Sequence, residues 1–240
     1  MSDVSLDKKP RVQPKGWGVF SGSFWAVVAF LGPQLIAQPI LPLIANLSIS
    51  NNAKLFVLQA IVELVVLGII YVVIKAYGFG WNSIGFTKKI KSSYFWYALL
   101  SFLVYMILAN ITLVVLSTIF TGIDINAEQE IGFVATQNIG ELVLVFVALV
   151  IIPPFVEEIV FRGFLFRPYR ARFGFWLASM LVSLVFALAH APVVVCIDVF
   201  VLSMFLCYLR EKTQSLWSPI FLHMIKNFVA FVYLFIIGVN

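Results

Sequence analysis

Charged residues are scarce in this sequence. Asp, Glu, Lys and Arg make up 11% of its 240 residues, whereas 62% are hydrophobic. A typical soluble protein is about a quarter charged, so this composition excludes an ordinary soluble domain. Runs of about twenty apolar residues, enough to cross a hydrocarbon core roughly 30 Å thick, recur along the chain. The composition therefore predicts a polytopic membrane protein.

Cysteine is almost absent as well. The chain has two cysteines, Cys196 and Cys207, and no CxxC pair. They lie on one predicted helix about 16 Å apart along its axis, which is too far for a disulfide. We expect both to pack as small hydrophobic side chains.

Seven hydrophobic stretches are long enough to span a membrane. They are residues 18–46, 55–77, 94–120, 139–161, 173–191, 193–210 and 215–238. The first lacks a signal-peptide cleavage pattern and should remain in the mature protein, and its three prolines predict a kinked or broken helix. Repeats and an extramembrane domain are absent. The sequence therefore predicts an all-α membrane helix bundle that forms a single domain over residues 1–240.

Basic residues mark alternate loops. They are Lys8, Lys9, Arg11 and Lys15 before span one, Lys88, Lys89 and Lys91 after span two, Arg167, Arg170 and Arg172 after span four, and Arg210 and Lys212 after span six. The other loops carry Lys54, then Asp124, Glu128, Glu130 and Glu141, and no charge at Ala191 and Pro192. Cytoplasmic loops are enriched in Lys and Arg, so residues 1–17 should form a cytosolic tail and the carboxy terminus should lie outside. The net charge of +5 then reflects topology and attraction to anionic lipid, and no nucleic-acid partner is expected.

Two adjacent glutamates and an arginine interrupt the apolar segment VIIPPFVEEIVFRGFLF, residues 150–166. Each charge at the centre of a membrane helix costs roughly 2.5–3.5 kcal/mol. Glu158 and Arg162 are one helical turn apart and can pair, whereas Glu157 is turned about 100° away. One glutamate can thus be neutralised while its neighbour acts. The alternative is that these charges only mark the cytosolic end of span four.

Both histidines of the chain also lie in apolar segments. His190 shares a helix face with Phe186, and His223 shares one with Asn227. A lone buried histidine is more often a packing residue. Two such histidines together with a glutamate pair favour a functional site in a polar intramembrane cavity.

These groups suit hydrolysis by an activated water. A glutamate can act as general base, an imidazole can hold the water, and an imidazole and an amide can donate to a developing oxyanion. The alternative is a zinc site formed by His190, His223 and a glutamate, although no HExxH motif is present.

Other polar residues lie within the spans. Gln59 and Glu63 share a face in span two, and Asp198 lies in span six. They either line the cavity or pair for structural reasons with a lysine such as Lys226. We favour the structural interpretation.

Three motifs occur in a fixed order. EEIVFR at Glu157–Arg162 matches EExxxR, FALAH at Phe186–His190 matches FxxxH, and HMIKN at His223–Asn227 matches HxxxN. In these motifs the chain resembles the CAAX prenyl protease and bacteriocin-processing family, also called CPBP or Abi. The resemblance covers roughly Glu141–Asn240, within a motif-bearing core over residues 139–240.

The resemblance implies an intramembrane endopeptidase that uses a glutamate-activated water. Glu157 would be the base, His190 would hold the water, and His223 with Asn227 would stabilise the oxyanion. Glu158, Arg162 and Phe186 would be supporting residues. No metal cofactor is expected, and zinc is the alternative.

The expected substrate is a membrane-associated peptide or lipidated protein, of the CAAX or the bacteriocin type, in a bacterial cell membrane. A membrane protein that binds a peptide without cutting it, such as a bacteriocin-immunity protein, is the alternative function. A small transporter is a weaker one, because no inverted repeat is visible.

Depth presents one difficulty. Counting along the predicted spans places Glu157 in the cytosolic half of span four and His190 near the outer end of span five. Catalytic partners must lie at one depth. Either span five begins deeper than its hydropathy suggests, or Pro192 follows a helix that stops short around a water-filled cavity.

Overall fold

The computed structural model describes residues 16–86, 89–120, 122, 124, 127, 131–190 and 192–238. Within these ranges the regular structure is entirely helical. We number the helices α1 Val19–Ala45, α2 Asn51–Ala76, α3 Trp81–Ile84, α4 Ser92–Ile119, α5 Ile139–Arg172, α6 Phe175–Leu188, α7 Val193–Thr213 and α8 Trp217–Ile237. Six are long and apolar enough to cross a membrane, and α6 is a shorter apolar helix. The predicted polytopic all-α bundle is confirmed, and the chain is an integral membrane protein.

The fourth span differs from its prediction. It was expected to end at residue 161, but α5 continues to Arg172. The added segment contributes Phe164, Leu165 and Phe166 to the core, each at most 3% exposed. Because this burial stabilises a continued helix, Arg162 lies inside the bundle at 0% exposure. The alternative that these charges mark the end of the span is therefore wrong.

Proline has different effects in α1 and α5. A kinked or broken helix was predicted here, but α1 is continuous through Pro33, Pro39 and Pro42, so it is not broken. Helix α5 instead changes to π-helical geometry at Val147–Ile151, directly before Pro153 and Pro154. Prolines lack the N–H that a helix needs, so the hydrogen-bonding register changes where two occur in succession.

The first turn of α1 is attached to the middle of the bundle through Trp17. Its ring stacks on Phe164 of α5 with centroids 4.4 Å apart. Its Nε1 donates to the Phe164 carbonyl at 3.0 Å. Helix α5 thereby forms the centre of the largest hydrophobic cluster, which also includes residues of α2, α6, α7 and α8.

Charge is separated between the two ends of the bundle. The described bases at the end where α2, α5 and α7 finish are Lys75, Lys89, Lys91, Arg167, Arg170, Arg172, Arg210 and Lys212, and the acid described there is Glu211. The other end carries Lys54, Asp124 and Glu141. Lys8, Lys9, Arg11, Lys15, Lys88, Glu128, Glu130 and Ala191 lie outside the described residues, as does most of the predicted tail. The assignment of the basic end to the cytosol stays a prediction.

Candidate active site

The side chains singled out in the three motifs come from three helices. Glu157, Glu158 and Arg162 lie on α5, His190 follows the end of α6, and His223 and Asn227 lie on α8. The depth difficulty disappears in this arrangement. Fifteen residues separate Glu157 from the end of α5 at Arg172, and fifteen separate Phe175, where α6 begins, from His190. Both distances are about 22 Å at the helical rise, so the two residues lie at similar depth.

Of the two explanations considered for the depth, the structure supports the short helix. Helix α6 has 14 residues and ends at Leu188. That length is about 21 Å, less than a hydrocarbon core of roughly 30 Å. His190 therefore lies in non-helical backbone at membrane depth, which is tolerated where the backbone is enclosed by protein or lines a cavity.

Glu158 is the most enclosed acid of the site, at 0% exposure. Its Oε1 accepts from Arg162 Nη1 at 2.9 Å and from His223 Nδ1 at 3.0 Å. The pairing with Arg162 follows the prediction, whereas the bond to His223 was not foreseen. A buried carboxylate with two such donors is compensated, so Glu158 is held rather than free to react.

Arg162 is bonded on several sides. Its Nη2 donates to Ser203 Oγ of α7 at 2.5 Å, and its guanidinium carbon lies 4.5 Å from the centre of the Phe186 ring. No sequence signal distinguished Ser203 from other small residues of α7. The guanidinium group presents several N–H donors in a fixed planar arrangement, which explains why an arginine suits this position.

Glu157 has a different environment. Its side chain is 22% exposed, and the Nε2 of His223 lies 3.8 Å from Glu157 Oε2. That oxygen has no hydrogen-bond partner among the described residues. Glu63 of α2 is close enough for its charge to repel that of Glu157. The Glu157 carboxylate thus retains acceptor capacity for a water or a substrate.

His190 is oriented by its own helix end. Its Nδ1 hydrogen-bonds the Phe186 carbonyl at 2.9 Å. Because a carbonyl only accepts, Nδ1 carries the proton, which leaves Nε2 as an acceptor when the ring is neutral. No direct bond joins His190 to Glu157 among the described contacts.

Phe186 forms a common wall for the two histidines. Its ring centre lies 4.9 Å from that of His190 and 5.9 Å from that of His223, both edge-on. It is 1% exposed. The predicted enclosure of His190 by Phe186 is observed, and it extends to His223.

Asn227 makes a contact that the sequence did not reveal. Its Nδ2 donates to the Leu149 carbonyl in the first π-helical segment, at 2.9 Å. An amide nitrogen has two N–H groups, so one donor remains for another acceptor. Asn227 therefore has a structural contact in addition to any role in catalysis.

The polar residues outside the motifs divide into two kinds. Asp198 accepts from Tyr105 at 2.6 Å and lies 3.9 Å from Lys226, which supports the structural interpretation. Gln59 donates to the Ala148 carbonyl at 2.7 Å, also a structural contact. Glu63, one turn after Gln59, has no hydrogen bond or ion pair among the described contacts, and its charge acts on Glu157.

A metal site is not preformed in these side chains. No group of three or more His, Cys, Asp and Glu residues is placed to hold a metal ion in the part of the chain that the structure describes. Both cysteines are free. The zinc alternative is left to experiment.

The resemblance found in the motifs is confirmed over part of the chain. Residues 139–229 match the family model described as Type II CAAX prenyl endopeptidase Rce1-like. This segment contains all of the motif residues and begins with α5.

Two relatives of known sequence match over 77 and 95 residues. The "Putative membrane peptidase YdiL" of Bacillus subtilis is 29% identical over 77 residues, 32% of this chain and 32% of that protein. The "Uncharacterized 24.3 kDa protein" of Escherichia coli is 27% identical over 95 residues, 38% of this chain and 44% of that protein. The matched segment thus covers less than half the length of each relative. No solved structure matches the chain.

Proposed function

From the match to the type II CAAX prenyl endopeptidases and the geometry of the site, we propose that this chain is an intramembrane endopeptidase with Glu157 as its general base. The supporting observation is the contrast between two adjacent carboxylates. The Oε2 atom of each carboxylate has no hydrogen-bond partner among the described residues. Glu158 is fully buried and its Oε1 is bonded to Arg162 and His223, whereas the Glu157 side chain is 22% exposed. Because its side chain is partly exposed, Glu157 is the carboxylate of the pair that a water can reach.

In the proposed reaction Glu157 removes a proton from a water while the water oxygen attacks the scissile carbonyl. His190 Nε2 accepts the other hydrogen of that water, because its Nδ1 is engaged by the Phe186 carbonyl. Collapse of the tetrahedral intermediate breaks the C–N bond, and Glu157 returns its proton to the leaving amine. A carboxylic acid and an amine are the products.

The negative charge on the intermediate requires donors. Asn227 supplies the N–H that does not bond Leu149, and His223 supplies Nε2–H on the side facing Glu157. Since His223 Nδ1 already donates to Glu158, donation from Nε2 requires the doubly protonated ring. In that form Glu158 is the counter-charge of the ring. Glu158 is thus a positioning residue that acts through His223.

The proposed substrate is a peptide or lipidated protein held at the membrane, of the CAAX or the bacteriocin and signal-peptide type. The site lies about 22 Å from the basic end of α5, so the scissile bond must enter the lipid bilayer. The enzyme contacts membrane lipid around its whole perimeter and needs no nucleic acid. Its proposed location is a bacterial cell membrane, with the basic end in the cytosol.

The two glutamates provide the test. Glu157→Gln keeps the size of the side chain but removes the base, so cleavage of a farnesylated CAAX peptide or of a membrane-anchored precursor peptide should fall by about 10²–10⁴-fold. Thermal stability in lipid nanodiscs should stay near that of the wild type, because Glu157 Oε2 has no described partner. Peptide binding should also persist.

Glu158→Gln is the matched control, and it should fail in a different way. It leaves Arg162 and His223 without their counter-charge, so it should destabilise the protein by about 3–5 kcal/mol. Equal and mild effects of both substitutions on cleavage would exclude either glutamate as the base and favour a peptide-holding site. An essential Glu158 with a dispensable Glu157 would keep the protease but reassign its base.

A further inference from the structure

Two arginines at the basic end of the bundle lie outside the proposed active site. The Arg167 guanidinium, on α5, lies over the rings of Phe79 and Trp17, 4.4 and 5.1 Å from their centres. Arg210, on α7, donates from Nη2 to the Ile84 carbonyl at 3.3 Å. Both side chains are half-buried, so each remains accessible from the surface of the bundle.

The segment at Ile84 and Gly85 contacts both α5, one turn before Arg167, and the Arg210 side chain. A Cβ on Gly163, one turn before Arg167, would lie 3.3 Å from the Ile84 carbonyl oxygen, so α5 abuts the group to which Arg210 bonds. A Cβ on Gly85 would lie 2.8 Å from the Arg210 guanidinium, and Gly85 has a φ of +113°. Glycine is therefore required there for two reasons, the backbone conformation and the close approach of Arg210. The charges of Arg167 and Arg210 are near enough to repel each other.

Few acidic side chains lie near this pair among the residues that the structure describes. Glu211 is close enough to attract Arg210, but its Oε1 already accepts from Arg170 Nη2 at 2.9 Å and Nε at 3.1 Å. Arg167 Nη1 and Arg210 Nε are buried without a hydrogen-bond partner among the described residues. Carbonyls at the ends of α5 and α7 supply only a partial negative charge. Two adjacent guanidinium groups without full compensation are unfavourable unless an anion joins them.

We propose that Arg167 and Arg210 together bind a phosphate group at the basic end of the bundle. Guanidinium groups match phosphate oxygens in geometry and charge, and two of them can share one phosphate. The position at the end of the membrane-spanning helices suits the headgroup of an anionic phospholipid, and free inorganic phosphate carries the same chemistry. The site stabilises the packing of α5 against α7 and takes no part in hydrolysis.

Thermal stability in nanodiscs tests the site without an activity assay. The full chain is reconstituted in phosphatidylcholine with and without phosphatidylglycerol at fixed ionic strength. The wild type should melt several degrees higher with phosphatidylglycerol. Arg167→Gln and Arg210→Gln should each lose most of that increment, whereas Arg172→Gln, which removes an exposed charge from the end of the same helix, should keep it.

A second arm separates the two phosphate sources. Sodium phosphate is added to phosphatidylcholine nanodiscs and compared with sodium chloride of equal ionic strength. An increment that only phosphatidylglycerol produces, and that depends on both arginines, assigns the site to a lipid headgroup. The same arginine-dependent increment with sodium phosphate assigns it to free phosphate.

Two results would overturn the proposal. Equal lipid increments in all three arginine variants would show diffuse surface charge rather than a site. Loss of the increment on exchange of Asp3 and Asp7 for asparagine, with lowered stability in phosphatidylcholine alone, would identify a carboxylate of this chain as the anion. If a glutamine variant does not fold, Arg167→Lys keeps the charge but loses the planar fork, and it should show a reduced increment.

Discussion

Adjacent residues in this site have opposite environments. Glu158 is fully buried and its Oε1 is bonded to Arg162 and His223, while the Glu157 side chain is partly exposed and forms no such pair of bonds among the described residues. The difference arises from the 100° turn per residue of the helix, which directs one side chain to α8 and α7 and the other towards α2. A single dipeptide can in this way supply both a fixed charge and an available base.

A metal-free mechanism makes a prediction at the same scale. Because water activation is assigned to Glu157 and His190, EDTA or phenanthroline should leave cleavage unchanged. The measurement is the cleavage rate before and after prolonged incubation with the chelator. A known zinc protease acting on a soluble peptide under the same conditions should lose activity, as the control.

Loss of cleavage with either chelator, restored by added zinc, would contradict the glutamate assignment. The water would then be assigned to a zinc ion held by His190, His223 and a glutamate. Such a result would require these side chains to move, because as described they form no group of three metal-binding residues.

At the scale of the element, α5 depends on side chains from other helices. Ile152 N–H bonds the Val147 carbonyl, five residues back. The same register would join the Ala148 and Leu149 carbonyls to Pro153 and Pro154, which have no N–H. Gln59 and Asn227 donate to these two carbonyls instead. Unpaired carbonyls at membrane depth are costly, so the two amides stabilise the proline-containing turn before Glu157.

Substitution of Gln59 tests this account. Gln59→Leu leaves the Ala148 carbonyl without its donor and should destabilise the protein by about 1–3 kcal/mol. Pro153→Ala restores an N–H five residues after Ala148, so the double variant should recover part of the loss. The measurement is thermal unfolding in nanodiscs, analysed as a double-mutant cycle.

Asn110→Leu is the matched control, since Asn110 is exposed and bonds only within its own helix turn at Met106. It should be close to neutral. A neutral Gln59→Leu, or additive effects in the cycle, would mean that the bond to Ala148 does not stabilise α5.

At the scale of the molecule, the distribution of charge sets the orientation in the membrane. The described bases at the end where α2, α5 and α7 finish greatly outnumber the acids there, and they lie beside short loops. Such loops remain in the cytosol in most membrane proteins. The proposed active site then lies about 22 Å from the basic end, an equal length of helix along α5 and α6.

Reporter fusions check this orientation. A reporter inserted beside Lys89 should be cytosolic, and reporters after Asn240 or beside Ser48 should be external. The insertion at Ser48 is the control, because it lies in the loop between α1 and α2 at the opposite end of the bundle. A cytosolic reporter at Ser48 would show that the topology is inverted. If the reporters at Lys89 and after Asn240 were on the same side of the membrane, the chain would cross it an even number of times after α2.

Hydropathy and charge in the sequence alone determined the membrane class, the seven hydrophobic segments and the unequal ends, because each depends on residues that are close in the chain. The motif spacings also placed Glu158 beside Arg162. The end of α5 was predicted wrongly because hydropathy is also averaged over a short window. The charges at 157, 158 and 162 lower this average, so the span is predicted to end there.

Only the tertiary structure decided how those charges are accommodated. Ser203 lies 41 residues from Arg162, and His223 lies 65 residues from Glu158. Their hydrogen bonds compensate the buried charges of α5, so the helix can continue through the bundle. Its continuation places Glu157 and His190 at one depth. Asn227 was likewise assigned from spacing without its bond to Leu149, 78 residues away. Compensation of buried charges and carbonyls is a property of contacts between helices, which local sequence patterns do not contain.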